Sequence, residues 1–227
     1  MDFLHRTRLL YGDTALENFQ SAVVAVFGLG GVGGHAMEAL ARCGIGTIIV
    51  VDRDVVDITN INRQAVATIE TVGKPKVDVA ETIIKSINPN VNVIKYNHSF
   101  SDDYDAVFEK YGVDYVCDCI DDVTAKLNLI CYCKSHDINI ISSMGTALRK
   151  HPELLEITDV YKTSYDPLAR VMRHELKKRG VKELTVVCSK EEPAQKKDNT
   201  LGSSPFVPSV SGLIMASYVA NIIAGKN

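Results

Sequence analysis

Val23-Val24-Ala25-Val26-Phe27-Gly28-Leu29-Gly30-Gly31-Val32-Gly33-Gly34 decides how this chain folds. A short apolar run rich in β-branched residues breaks into glycines, and an apolar helical pattern through Ala36, Met37, Ala39, Leu40 and Ala41 follows at once. That is the pattern of a strand, a tight turn and a helix N-terminus, where free backbone N–H groups and the helix dipole hold a nucleotide's phosphates. Gly28 and Gly30 let the backbone turn and approach the phosphates, and Gly33 lets helix and strand pack closely. A second β-rich run, Thr47 to Val51, ends at Asp52, nineteen positions beyond Gly33. A carboxylate there is the usual acceptor for ribose hydroxyls, so strand, helix and acid in register predict nucleotide binding.

Working outward, residues 13–20 predict a short helix capped by Asp13 or Thr14, with Leu16 and Phe19 inward. Residues 53–72 form a polar connection containing Thr59-Asn60-Ile61-Asn62-Arg63-Gln64, long enough to be functional or disordered. Lys76 opens a helix with Val79, Ala80, Ile83, Ile84 and Ile87 at helical spacing, ended by Asn88-Pro89. Val91–Tyr96, Val113–Asp118 and Ile138–Ser142 read as strands, the last two separated by a helix from Thr124 to Ser135. After Gly145 come strand patterns at Leu154–Val160 and Leu184–Cys188, and a basic helix from Asp166-Pro167 to Arg179. A polar stretch from Ser189 to Ser204 is expected to be mobile, and a closing helix spans Ser211–Ala224. No internal repeat is visible.

Alternating strands and helices predict an α/β fold: a Rossmann-like, doubly wound, mainly parallel sheet. Ligands in such sheets sit at the carboxyl ends of the strands, so Gly28, Asp52, Asp118 to Asp122 and Ser143 to Thr146 are expected to converge. The expected organisation is one domain over residues 1–227, with a nucleotide-binding core over 20–146 and a C-terminal α/β extension over 147–227.

Bulk properties narrow the field. A 46% hydrophobic, 23% charged chain of 227 residues is ordinary for a globular protein. No apolar stretch reads as approaching the roughly 18 residues of a membrane span, and Met1-Asp2-Phe3-Leu4-His5-Arg6 lacks a signal-peptide layout. A cytoplasmic protein without a membrane-spanning segment is expected, its six cysteines reduced. Cys117/Cys119 and Cys131/Cys133 lack the C-x-x-C spacing of a zinc knuckle and read as buried small hydrophobes. The net charge of −3 hides an asymmetry: Arg149 to Lys182 holds nine Lys/Arg against five Asp/Glu, hence +4, leaving −7 elsewhere. Alone, that patch also reads as a solvated helix face.

Charged groups at the predicted sheet edge separate nucleotide chemistries. Arg63 and Lys76 follow the second strand, where they could meet a triphosphate, and Asp121 follows the fourth, where it could hold Mg²⁺. Two cations with a carboxylate–metal site equip a protein for polyphosphate chemistry. The bland alternatives are surface charges for Arg63 and Lys76, and a helix cap for Asp121 or Asp122.

The set Gly28-Leu29-Gly30-Gly31-Val32-Gly33, Asp52, Asn60, Asn62-Arg63-Gln64, Lys76 and Asp118-Cys119-Ile120-Asp121 resembles the E1-like adenylating enzymes of the ThiF and MoeB type. The resemblance implies that Asp52 binds ribose, that Asn62, Arg63 and Lys76 contact the phosphates, and that Asp121 contacts magnesium. The implied ATP-binding set is Gly28, Gly30, Gly31, Gly33, Asp52, Asn60, Asn62, Arg63, Gln64, Lys76 and Asp121, with Arg63, Lys76, Asp121 and Arg6 catalytic. Arg6, in Arg6-Thr7-Arg8-Leu9-Leu10-Tyr11-Gly12, matches an arginine that reaches the partner subunit's ATP, which implies a homodimer.

Within that group the chain most resembles the tRNA threonylcarbamoyladenosine dehydratases. The shared stretches are Ser142-Ser143-Met144-Gly145, Thr158 to Thr163, Asp166 to Arg170, Ser189 to Pro193 and Phe206 to Ser209. Ala147-Leu148 departs from the pattern, which bears on local loop shape. The implied reaction is ATP-dependent cyclisation of N6-threonylcarbamoyladenosine beside the tRNA anticodon, through an acyl-adenylate. A cysteine desulfurase/sulfur-acceptor system is a further partner the resemblance allows, and Cys188 is not assigned as a nucleophile. Rival readings are a sulfur-carrier activator adenylating a ubiquitin-like C-terminal glycine, a nicotinamide-dependent dehydrogenase, and a non-catalytic nucleotide scaffold. Arg170, Arg173, Lys177 and Lys178 recur at i, i+3, i+4 spacings, so with Lys190 to Lys197 they are expected to hold the tRNA's anticodon arm.

Overall fold

The computed structural model describes residues 3–98, 104–196 and 200–225. In chain order, α1 (His5–Tyr11) and α2 (Asp13–Ser21) precede β1 (Val23–Phe27), α3 (Gly33–Cys43) and β2 (Thr47–Val51). Then come α4 (Lys76–Ile87), β3 (Asn92–Tyr96), α5 (Asp105–Tyr111), β4 (Tyr115–Asp118), α6 (Val123–Ser135) and β5 (Ile140–Ser143). The chain finishes with β6 (Leu155–Asp159), α7 (Pro167–Lys178), β7 (Thr185–Ser189) and α8 (Val207–Ala224).

Among the described residues seven strands form one sheet in the order β3-β2-β1-β4-β5-β7-β6. All pairs are parallel except β6 with β7. The period of two along each strand splits the core into two layers. Val24, Val26, Ile48 and Val50 face the side covered by α2, α3, α4 and α8. Ala25, Phe27, Ile49 and Val51 face the side covered by α5, α6 and α7. Burial on both faces is why β1 and β2 are near-continuous apolar runs. β7 pairs with β5, so the C-terminal part of the chain completes the same sheet.

The expected α/β sheet is present, and four local expectations need correction. α2 has Gly12 as its N-cap without a side-chain cap, so neither Asp13 nor Thr14 caps it, and Asp13 lies in the first turn. α1 and α5 were not read: α1 has no buried residue to mark a face, and α5, although Tyr104, Val107, Phe108 and Tyr111 fall at helical spacing, is only seven residues long. The closing helix starts at Val207, with Pro208 suited to its first turn. By length and a mean hydropathy of 1.6, α8 meets the criterion for a membrane span that the sequence reading found nowhere. Half of it is buried, and Met215, Val219 and Ile223 are fully so. Each such side chain contributes about 1.5–3 kcal/mol to the core, so α8 is a core helix.

The fourth correction concerns residues 190–194 of the stretch expected to be mobile; residues 197–199 of it lie outside the described residues. The Glu191 carboxylate accepts from Lys150 N (3.0 Å) and His151 N (2.9 Å). Lys190 N donates to Leu154 O (2.9 Å) and Ala194 N to Leu148 O (2.8 Å). These bonds to the backbone of residues 148–154 hold residues 190–194 of a polar sequence in place. The connection over 53–72 is also ordered, by 3-10 turns at Ile58–Asn60 and Ile69–Thr71.

Candidate active site

The strand order reverses direction of growth between β1 and β4, and a cleft of about 940 Å³ opens there at the carboxyl ends of the strands. Its floor is the glycine turn. Gly28 has φ 87°, and a Cβ at Gly33 would stand 1.8 Å from Gly28 O, so α3 can begin there only with glycine. α3 has no side-chain cap. With Gly30, Gly31 and Val32 lining the cleft, its first N–H groups make a ready anion site.

Asp52 does more than the sequence suggests. Its Oδ2 accepts from Leu29 N (2.6 Å) and its Oδ1 from Asp54 N (2.8 Å), so the carboxylate pins the glycine turn to the end of β2. Lys76, 5% exposed, donates to Asp54 Oδ2 at 3.0 Å and lies 3.9 Å from Asp52 Oδ2. Its ammonium is therefore already fixed on the cleft wall. Arg63 Nη1 donates to Thr59 O (3.0 Å) and Asn62 Oδ1 (2.8 Å). Asn62 in turn donates to Ser203 O (3.2 Å). Asn60 Oδ1 accepts from Asp57 N (3.0 Å), so Asn60 also caps the turn that carries Arg63. Gln64 is 8% exposed and lines the cleft, and its Oε1 is buried without a hydrogen-bond partner. A buried acceptor of that kind fits a donor on a bound ligand.

Asp121 is exposed at the opposite lip. Asp122, not Asp121, is the N-cap of α6, accepting from Ala125 N at 2.8 Å. Among the described residues no group of three or more His, Cys, Asp or Glu forms a metal cage. One free-standing carboxylate beside a phosphate site suits magnesium carried in by a nucleotide. Arg6 is exposed on α1 and is not among the residues lining this cleft.

A second hollow, about 1040 Å³, runs beside α7 and is lined by Tyr161, Tyr165, Asp166, Arg170, Arg173, His174 and Lys177 among others. Arg170, Arg173 and Lys177 share that face, as their spacing predicts. Lys178 does not: with Arg179 it clamps Glu175 (2.9 and 2.6 Å). Lys190 is likewise removed, paired with Glu156 (2.5 Å), and Lys197 lies outside the described residues.

The residues match the model of the ThiF family over positions 4–227. The chain belongs to the ThiF family. It is 41% identical to the tRNA threonylcarbamoyladenosine dehydratase of Bacillus subtilis, across 94% of this chain and 91% of that one. It superposes on the crystal structure of E. coli tRNA N6-threonylcarbamoyladenosine dehydratase in complex with AMP with a TM-score of 0.90 and 34% identity. That match covers 96% of this chain and 92% of that one. The same E. coli enzyme in complex with ATP matches with a TM-score of 0.89, again at 34% identity over 96% and 92%.

This ThiF-family cleft depends on two buried ion pairs that sequence reasoning missed. Lys126 and Asp118 are both fully buried and 2.9 Å apart. Lys126 Nζ also donates to Ile120 O (2.8 Å), Asp118 Oδ1 accepts from Ile120 N (3.1 Å), and Ser142 Oγ donates to Asp118 Oδ2 (2.5 Å). The network locks β4, β5 and α6 under the turn that presents Asp121. Its signal was a lysine on the apolar face of α6, among Leu127, Leu129 and Ile130. The second pair is Arg149 with Asp166 (2.8 Å). Arg149 Nε also donates to Gly145 O (3.0 Å), and its Nη1 to Glu191 O. Asp166 caps α7 through Ala169 N (2.8 Å). Gly145 lines the nucleotide cleft and Asp166 lines the second hollow, so Arg149 ties the two cavities together. The departure at Ala147-Leu148 is where the backbone turns left-handed (Leu148 φ 60°) to aim Arg149 inward.

Burial pushes all six thiols above their ordinary range, Cys117 and Cys188 up to about 12. None is an activated thiolate. The reading of Cys117 and Cys133 as buried small hydrophobes holds, while Cys119 and Cys131 are only partly buried.

Proposed function

We infer that this chain catalyses the ATP-dependent dehydration of N6-threonylcarbamoyladenosine in tRNA. The observation that carries this reading is similarity running through nearly the whole length of dehydratases of that name, well beyond the nucleotide cleft. The threonyl carboxylate attacks the α-phosphorus of ATP, the bond to the bridging oxygen breaks, and pyrophosphate leaves. An internal nucleophile of the threonylcarbamoyl group then attacks the activated carbonyl, closing a ring as AMP departs. The net change on the base is loss of water, its oxygen carried away on AMP.

The first step spreads negative charge over the phosphates, which Lys76, Arg63 and the N–H groups at the start of α3 offset. Asp52 has remaining lone pairs for ribose hydroxyls, and Gln64, Asn60 and Asn62 complete the nucleotide contacts. Mg²⁺, held through Asp121, supplies further charge neutralisation when bound. The second step is intramolecular and needs a held geometry rather than a thiol. A cysteine desulfurase or sulfur acceptor therefore has no step to supply in it.

The exposed position of Arg6, away from its own cleft, supports a homodimer in which it reaches the partner's ATP. Mixing Arg6→Ala with Asp121→Ala subunits then restores part of the activity, whereas an arginine acting within its own chain gives no recovery. The core over 20–146 holds ATP, and the extension over 147–227 presents the tRNA through Arg170, Arg173 and Lys177. Lys178, already paired, adds little. A tRNA substrate supports the reading of a cytoplasmic enzyme. Pyrophosphate exchange with modified tRNA, with a ubiquitin-like carrier protein and with neither tests the reading: stimulation by the modified tRNA alone is expected, and stimulation by the carrier contradicts it.

A further inference from the structure

We propose that the hollow beside α7 is a single-stranded RNA subsite in which Tyr165 stacks a nucleobase while Arg170, Arg173 and Lys177 hold the flanking phosphates. This rests on the tRNA reading and deepens it by naming how the RNA is gripped.

Three observations favour RNA over an acidic protein segment. First, the cations keep their charge. Arg173 Nη1 donates to neutral acceptors, Thr163 O (3.0 Å) and Thr163 Oγ1. The one carboxylate lining the hollow, Asp166, is already paired with buried Arg149. Among the described residues no carboxylate pairs with Arg170, Arg173 or Lys177.

Second, an aromatic ring stands among these charges. Tyr165 is 62% exposed, with φ at 59°, a conformation bulky side chains rarely adopt. Tyr161, by contrast, spends its hydroxyl on Val181 O (2.5 Å) and forms a wall. An acidic peptide would use the cations but gives the ring nothing to stack on. Every nucleobase offers a π-face.

Third, the segment carrying Tyr165 is fixed at both ends. Thr163 is bonded to Val160 O through N (3.3 Å) and Oγ1 (2.6 Å). Asp166 is held by Arg149, which also holds Gly145 at the nucleotide cleft. The backbone on both sides of Tyr165 is thus held, on one side through Arg149 to the cleft, which lowers the ordering cost of a base stacked there.

An anticodon stem-loop RNA carrying 2-aminopurine in its loop tests this. Tyr165→Asn tolerates the left-handed backbone while removing the ring, and Tyr165→Phe keeps the ring. Wild type and Tyr165→Phe are expected to quench the 2-aminopurine. Tyr165→Asn is expected to lose the quench and bind about tenfold more weakly, with the salt slope unchanged. The pair Arg170→Gln, Lys177→Gln is expected to flatten the slope and keep the quench. Wild-type affinity and quench in Tyr165→Asn overturn the proposal. So does displacement of the RNA by polyglutamate that is as strong in Tyr165→Asn as in wild type. Failure of wild type to cyclise modified tRNA while the stem-loop still binds with quenching would sink the functional reading and leave the subsite standing.

Discussion

The nucleotide cleft and the hollow beside α7 are both lined by charge, but they hold it in opposite ways. In the cleft Lys76 is buried against Asp54 and Asp52, and the loop before Asp121 is locked by the fully buried Lys126–Asp118 pair. In the hollow Arg170 and Lys177 lie exposed on one helix face, and Arg173 donates to neutral threonine oxygens. Adenylation needs charges fixed before the reaction, because reorganisation at the moment of bond making costs rate. Capture of a polyanion needs charges in contact with its phosphates, and solvent screening there makes binding adjustable by salt. The two sites share one element, Arg149, which joins Gly145 to Asp166.

The contrast breaks most visibly at Lys126. Removing it leaves Asp118 charged and unpaired in the interior, which costs about 3–5 kcal/mol. Denaturant unfolding of Lys126→Ala is expected to show that loss, and the double variant Lys126→Met, Asp118→Asn is expected to recover part of it. Equal stability of Lys126→Ala and wild type would mean the pair is not what supports the Asp121 turn. Lys76→Ala and Asp121→Ala come next. Each is expected to lose about 2–4 kcal/mol of transition-state stabilisation in pyrophosphate exchange, while Asp52→Ala weakens nucleotide binding.

Effects in the hollow are smaller in stability and larger in salt dependence. Reversing Arg173 and Lys177 to Glu is expected to weaken tRNA binding and flatten its salt slope, with ATP affinity unchanged. An unchanged slope would return α7 to a solvated face. The smallest effect belongs to Glu175→Gln. Hydrogen bonds from Arg179 and Lys178 hold the Glu175 carboxyl down at about 2. Its folded-state value lies below the ordinary one, so its contribution is fully present above the ordinary carboxylate range and fades only as pH falls toward 2. Glu175 therefore stays ionised across the neutral range. Neutralising it releases Lys178 and Arg179, and RNA binding is expected to tighten slightly with a steeper salt slope.

The cleft was legible because its chemistry is written in local signals. Gly28 and Gly33 must be glycine for a steric reason, Asp52 ends a visible strand, and Arg63, Lys76 and Asp121 follow strand ends. The ion pairs were not legible, because Lys126 meets Asp118, and Arg149 meets Asp166, only after strands and helices have packed. α1 escaped because it buries no residue and α5 because it is only seven residues long, and Glu191 escaped because a carboxylate serving backbone N–H groups looks like any surface acid. α8 was read too short, and its span-like apolar character was missed, because Val207-Pro208 opens the helix ahead of the serines and glycine at 209–212.

The cleft, with Lys76 buried and fixed on its wall, activates a carboxylate delivered on tRNA. The most direct measurement incubates wild-type protein, ATP and magnesium with tRNA bearing N6-threonylcarbamoyladenosine, then follows the nucleoside mass alongside AMP and pyrophosphate. The expected result is a nucleoside lighter by one water, with one AMP and one pyrophosphate released per product and neither formed on unmodified tRNA. Release of AMP and pyrophosphate without any loss of water from the modified base would contradict it.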